Sequence, residues 1–527
     1  EISNILSNVY DSKYSSYIVF INIIVGYVLR FFYVIIPSVN WYVIISLFLN
    51  FLSLTAISWC FYKKADLKVG SLFSLAFLVM FFYDSYVLFQ FTKNAFLYLT
   101  AGYLLIFTSY KIWRKSIVAL ACGIFLTVVG SLIRFQSFIG AIPFIFLIII
   151  LEIFQTYKSK EKQKLSLFVC IATSSILIIG CRAFNLYQYE SNEEWSYYRE
   201  YNENRAALTD YEGFEPSEHV DELSELGITT EDYELITKFT YGDTQVFSLD
   251  VMKELASLKE EYSSTNPIIS KDILFAFVSD IIDICQNHMY IYAIALLGFL
   301  GLTLGVKKGC PIFFMLGIVF AEWYMYIWMG RLVYRVIYGA ILFGITFSLF
   351  YLLKNENNIW TKMWHEFGKS TRNYISLLIG VVILLCSIPQ SMVMISNKVY
   401  FQENTEYEGM LEEIANHKDT LYLIDRPTLT ILEENYSPYK VIDKGAYENL
   451  CVIGGWVYPT PQNNAPLERF DIENPLEEFS KEKNILLIDG VSPQLKESYL
   501  QRHYDSNIVL ESVKEYPLYN IYKIQKN

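Results

Sequence analysis

Apolar residues in this chain come in unbroken runs of membrane length, not in the short alternating stretches of soluble elements. A helix needs about 20 such residues to cross a hydrocarbon core ~30 Å thick. Runs of that kind lie at about 41–62, 71–91, 95–111, 116–134, 137–156, 165–183, 287–306, 311–329, 333–353 and 374–394, which predicts ten spans. After the sixth run comes a polar insertion from Asn185 to Lys271, whose carboxylates outnumber its six basic residues about three to one. So acidic a block belongs in water. A further apolar stretch, 16–36, runs into Pro37-Ser38-Val39-Asn40 with almost no loop before the next span. It reads either as a full span or as an interfacial helix with Asn22, Tyr27 and Arg30 on its polar side.

The last part, about 397–527, reads as a small soluble α/β domain. Glu406 to His417 and Pro493 to Arg502 have helical spacing, and short apolar runs at 420–424, 439–442 and 484–489 are strand-like. A final pair of strands is expected between Ile508 and Ile524, turning near Glu515-Tyr516-Pro517. The organisation predicted is therefore a membrane module, 1–396, carrying the 185–271 loop, and a C-terminal domain, 397–527.

Lys and Arg collect in short cytoplasmic loops. Here they occupy every second turn: Lys63-Lys64 to Lys68, Lys111 to Lys115, Lys158 to Lys164, Lys307-Lys308, and Lys354 to Arg372. The alternation puts the insertion and everything after about Ser396 on the opposite, outer side.

Composition agrees with the runs. The 527 residues are 53% hydrophobic and only 18% charged, where soluble domains carry about a quarter. A net charge of −12, concentrated in the water-facing parts, argues against nucleic acid as a partner. The eight cysteines have no CxxC spacing; Cys60, Cys122, Cys170, Cys310 and Cys386 read as small core residues, and Cys181, Cys285 and Cys451 could face an oxidising side. The five histidines form no HxH or HExxH pattern, so no metal site is indicated.

Charges within or beside spans are costly and mark candidate function. The set on the outer side is Asp84, Lys93, Arg134, Arg182, Asp280, Asp283, His288, Glu322, Arg331 and Arg335. Asp84 could act as a general base, or simply pair with Lys93. Arg331 and Arg335, four apart, share a helix face and with Arg134 could grip phosphate through their planar forks; snorkelling to headgroups is the plainer account. His288 could bind a ligand or be an ordinary hydrogen-bonded histidine. Within the insertion, the stretch Trp195 to Arg205 mixes aromatic and polar groups suited to sugars, or to capping the bundle. Arg205 and Asp210 complete the candidate binding residues. No nucleotide fingerprint is present, so the substrate has to be available on the outer side already.

Several stretches carry a resemblance to a known family: Gly26 to Tyr33 with Pro37 to Tyr42; Gln90 to Ala95 with Ala101-Gly102; and Trp195 to Tyr211 with Gly227 to Tyr233. In them the chain resembles the GT-C superfamily of polytopic glycosyltransferases, in particular bacterial members found with cell-envelope polysaccharide genes. The resemblance implies transfer of a sugar from a polyprenyl-phosphate donor to a glycan or lipid acceptor on the outer face of the bilayer. It implies that 16–36 is an interfacial helix and that the principal acidic motif precedes Glu1. It carries Asp84 over as a second outer-loop carboxylate, and Arg134, Arg331 and Arg335 as donor-phosphate ligands. No cofactor is firmly indicated, with a divalent cation as the open alternative. Other classes compatible with the sequence are a lipid-linked glycan flippase, a polysaccharide polymerase and a non-catalytic envelope scaffold.

Overall fold

The computed structural model of the chain describes residues 2–526 except 12, 66, 89, 157–160, 260–266, 355–365, 389–390, 393–394, 396–404, 435 and 482–483. The expected domain boundary at 396/397 therefore lies outside the described residues.

Each predicted apolar run forms a helix, but two of the helices are shorter than a straight span of 18 residues. Among the described residues eight helices are long and apolar enough to cross a membrane, and nine if one bent pair counts as a single span. The run at 116–134 yields Ile117–Ile133, 17 residues, because Arg134 leaves helical geometry at φ −154°. The run at 287–306 yields Tyr290–Thr303, 14 residues, closed by Gly305 at φ +76° and bent by 101° against Lys271–Cys285. At 1.5 Å per residue neither reaches 30 Å. Similarly, 16–36 gives only the 13-residue helix Ile23–Ile35, capped by Asn22. Val28, Phe31, Val34 and Ile35 are exposed along it, so an apolar face looks outward, as an interfacial helix requires.

The bundle is centred on Phe91–Ser109 and Tyr334–Lys354, the most enclosed of the spans. Phe91–Ser109 packs backbone to backbone on Ile117–Ile133. A Cβ on Gly102 would lie 2.7 Å from the Gly123 carbonyl, and one on Gly123 would lie 2.9 Å from that of Gly102. Small residues make such approaches the main source of helix attraction in lipid. Residues of the first two basic turns lie at one end. Lys64 lies 5.2 Å from the Phe350 ring, Lys68 hydrogen-bonds Asn373, and Lys111 pairs with Glu152 at 3.3 Å.

At the other end sits a five-stranded sheet of order β2-β1-β3-β5-β4, with β1 Leu421–Ile424, β2 Leu450–Val452, β3 Ile485–Asp489, β4 Ile508–Glu515 and β5 Asn520–Lys526. β1 runs parallel to β2 and β3, while β5 is antiparallel to β3 and β4. The 439–442 strand is replaced by turns, and β2 forms instead at Leu450–Val452. Residues 439–442 are displaced because the N-terminal segment docks just after them: Gly445 and Tyr447 donate backbone hydrogen bonds to the Asn8 and Val9 carbonyls.

Side-chain alternation along β1 shows how this sheet is covered. Leu421 and Leu423 face a core supplied by the insertion, including Leu235, Ile236, Phe247, Met252 and Leu255. Tyr422 and Ile424 face Tyr407, Met410 and Ile414 of the helix Thr405–Asn416, together with Ile5, Val9 and Tyr10 of the N-terminal segment. With both faces buried, β1 reads as a continuous apolar run. The insertion is thus one wall of the sheet's core.

Polar contacts fasten the same junction. The insertion helix Thr230–Thr237 starts in a capping box between Thr229 and Asp232, the start expected from the sequence. Asp232 also meets Arg502 at 2.6 Å and His503 at 3.0 Å. Burial alone would raise its carboxyl, but His503, Arg502 and the Thr229 cap outweigh it and hold it well below the usual carboxylate range. A depressed carboxyl contributes stability above its unfolded value of about 3.9, and that stability is lost as pH falls through the folded value. Asp232→Asn should cost about 1–3 kcal/mol at pH 7, and thermal unfolding followed from pH 7 to pH 3 should fall less steeply in this variant than in the parent.

Candidate functional site

A cavity of about 400 Å³ opens where the bundle meets the sheet-bearing unit, a volume in the range of ligand pockets. The N-terminal stretch 18–22 forms one side of it. The turn after Ile117–Ile133 forms another, beside the start of Phe91–Ser109. Helices Glu161–Glu190 and Glu193–Thr209 flank it on either side of the elbow between them, Arg331 and Arg335 enter from the bundle, and Trp456 closes it from the loop after β2. Six arginines line it, Arg134, Arg182, Arg199, Arg205, Arg331 and Arg335, against two carboxylates, Glu203 and Asp210.

These arginines are not equivalent. Arg205 is buried and fully committed: Nε and Nη2 bond Asn202, and Nη1 reaches Thr209 at 2.9 Å and Asp210 at 2.8 Å. Arg331 takes the other Asp210 oxygen at 3.2 Å and the Tyr211 hydroxyl at 2.6 Å. Arg199 stands 4.0 Å from Glu190 and Glu203, the outer limit of an ion pair. Among the described residues Arg134, Arg182 and Arg335 have no carboxylate partner at all.

What holds two of these three is aromatic. The Arg134 guanidinium carbon lies 5.0 Å from the Phe20 ring and 5.4 Å from Phe91, and those rings are nearly parallel, 6.3 Å apart. Arg182 lies 5.0 Å from Phe135. An aromatic face restrains a guanidinium without neutralising it. Phe20 adopts φ +68°, a conformation costing a non-glycine residue on the order of 1–3 kcal/mol and found where a site fixes it. Burial, with Arg331 and Arg335 nearby, pulls Arg134 down to about 10 despite Asp210, so it stays cationic at neutral pH while feeling its neighbours' repulsion. An anion entering the cavity would relieve that repulsion. No protein-family model, no curated protein and no solved structure matches this chain. The chemistry of the cavity therefore rests on its own residues.

Of the residues singled out in the sequence, Arg134, Arg205, Asp210, Arg331 and Arg335 are brought together here. Asp84, Lys93 and His288 are not. Asp84 is buried at the end of Leu67–Tyr86, paired with Lys93 at 2.7 Å and bonded by the Tyr290 hydroxyl at 2.5 Å and that of Tyr334 at 3.1 Å. Oδ1 takes Lys93 and Oδ2 takes both hydroxyls, which is the pairing with Lys93 that the sequence also allowed. His288 stacks on Tyr334 at 4.6 Å, with Nδ1 3.3 Å from its hydroxyl. Trp195 is enclosed by Tyr17, Tyr189 and Tyr198, so it packs the bundle's end instead of presenting a sugar platform. Among the described residues no three His, Cys, Asp or Glu side chains could together hold a metal ion.

Sequence reasoning left Arg182 among the outer charges without a role, and missed Arg199, Glu203, Phe20 and Trp456 as cavity residues. A charge inside an apolar run was the available signal for Arg182. The others depend on the elbow at 190–193 and on the sheet loop, which no local pattern announces.

Two outcomes follow. Arg134→Gln and Arg335→Gln should each weaken binding of farnesyl phosphate to the protein in nanodiscs about tenfold, roughly one charged hydrogen bond, with unchanged melting temperature because no carboxylate is orphaned. Asp84→Asn should instead cost about 3–5 kcal/mol by stranding Lys93, and Asp84→Asn/Lys93→Met should recover much of it in thermal unfolding.

Proposed function

We propose that the protein is an inverting membrane glycosyltransferase that moves a sugar from a polyprenyl-phosphate donor to a cell-envelope glycan or lipid acceptor. The observation carrying this reading is the cavity whose guanidinium groups outnumber its carboxylates six to two, at the end of the bundle opposite Lys64, Lys68 and Lys111. A phosphate joined to a membrane-embedded chain is the anion best placed to reach it. The alternation of basic loops supports placing this end at the outer face.

In the proposed reaction Arg134, Arg331 and Arg335 hold the donor phosphate. The acceptor oxygen attacks the anomeric carbon as the bond from that carbon to the phosphate oxygen breaks. The electron pair leaves with the phosphate, whose growing charge the guanidinium groups stabilise. The acceptor proton passes to a carboxylate. Glu203 is the candidate, because Asp210 is shared by Arg205 and Arg331 while Glu203 is exposed and its ion pair is long. Asp84, sealed by Lys93, has the structural role of holding Tyr334 beside Arg335.

The test is consumption of a labelled polyprenyl-phosphate sugar by the protein in nanodiscs, with envelope glycan as acceptor. Glu203→Gln should lower kcat about 10²–10⁴-fold with little change in KM. Failure of the parent protein to turn over any such donor would remove the transferase reading, and full activity in Glu203→Gln would remove Glu203 as the base.

A further inference from the structure

The cavity's cations fall into two groups. Arg331 holds Asp210 and Tyr211, and Arg134 and Arg335 line the same cavity within electrostatic reach of Arg331 and Asp210. Arg182 and Arg199 line the cavity from the two sides of the elbow that joins Glu161–Glu190 to Glu193–Thr209, and Arg199 and Glu203 both act electrostatically on Arg182. Arg182 has no carboxylate partner among the described residues and is braced by Phe135. Arg199 touches Glu190 and Glu203 only at 4.0 Å, and both of those glutamates are largely exposed. A single phosphate neutralises one group. It leaves the other with positive charge facing the same cavity.

We propose that Arg182 and Arg199 form a second anion subsite, one that takes a carboxylate or phosphate carried by the acceptor glycan. The assignment of this anion to the acceptor rests on the transferase reading, since the candidate base Glu203 belongs to this group and the acceptor hydroxyl has to lie beside the base. An acidic acceptor would place its charged group between the two guanidinium groups and its hydroxyl toward Glu203. It would also screen the two like charges from one another, so an acceptor lacking the anion would bind less well. Arginine suits both anions through its planar fork.

Binding to the full chain in nanodiscs tests this with four probes: a glucuronate hexasaccharide, its carboxyl-reduced neutral counterpart, a glycerol-phosphate oligomer, and farnesyl phosphate. The expected result is that one or both acidic oligomers bind at least tenfold more tightly than the neutral one, the stronger of the two identifying carboxylate or phosphate. Arg182→Gln and Arg199→Gln should each reduce that preference about tenfold, Arg182→Lys should reduce it less, and farnesyl phosphate binding should change less than twofold in all three. Equal binding of acidic and neutral oligomers overturns the subsite. So does a loss of farnesyl phosphate binding in Arg182→Gln that matches the loss in Arg335→Gln, which would merge the six arginines into one donor site. Acidic oligomer binding that depends on Arg182 in a protein that does not bind farnesyl phosphate would keep the anion subsite and remove the transferase reading.

Discussion

Positive charge gathered in an enclosed cavity is the constraint from which the rest of this architecture follows. Like charges at close range in a poorly solvated space repel strongly, and the chain could have neutralised each arginine locally. It does so for Arg205, which is buried among Asn202, Thr209 and Asp210. For Arg134 and Arg182 it supplies aromatic rings, which fix position and leave the charge available. The contrast separates an arginine neutralised by its neighbours from arginines that, among the described residues, have aromatic rings and no carboxylate beside them. Asp210, shared by Arg205 of the insertion and Arg331 of the bundle, is the joint where the two kinds meet.

The membrane interior solves the opposite problem. Asp84 and Lys93 cancel one another within low-dielectric surroundings, and the hydroxyls of Tyr290 and Tyr334 occupy the remaining carboxylate oxygen. Such a pair contributes little net stability beyond what apolar packing would. Its consequence is geometric: Tyr334 is fixed, and Arg335 follows it directly into the cavity. The buried pair thus touches the cavity only indirectly, through the chain link from Tyr334 to Arg335.

The membrane part of the fold was legible because bilayer thickness imposes a length on apolar runs. Every run became a helix, and the errors came where a local feature shortened one, at Arg134 and at Gly305. In the soluble part β1, β3, β4 and β5 were legible from short apolar runs. β2 was not, since its three residues are buried by partners distant in sequence, including the N-terminal segment. Four cavity residues, Arg134, Arg182, Arg331 and Arg335, were found by asking which charges sit at one membrane end, and Arg205 and Asp210 came from the polar stretch of the insertion. Arg199 and Glu203 escaped that question because they follow the elbow, in a stretch whose acidity already marked it as solvated.

The helix Glu193–Thr209 shows why the insertion cannot be regarded as an independent lid. Tyr201 and Leu208 enter the core under the sheet, while Arg199, Asn202, Glu203 and Asp210 at its end face the cavity. The turns that anchor it are the turns that present its charges. Tyr201 donates to the Phe247 carbonyl and Tyr198 to that of Trp456, so the helix is pinned to both the insertion and the sheet loop. Trp456 itself lines the cavity. A shift of the sheet relative to the bundle would therefore move Glu203 and Trp456 together against Arg134 and Arg335, which ride on the bundle. The cavity's charge geometry is set by how two separately packed cores are joined, and the joint runs through Asp210.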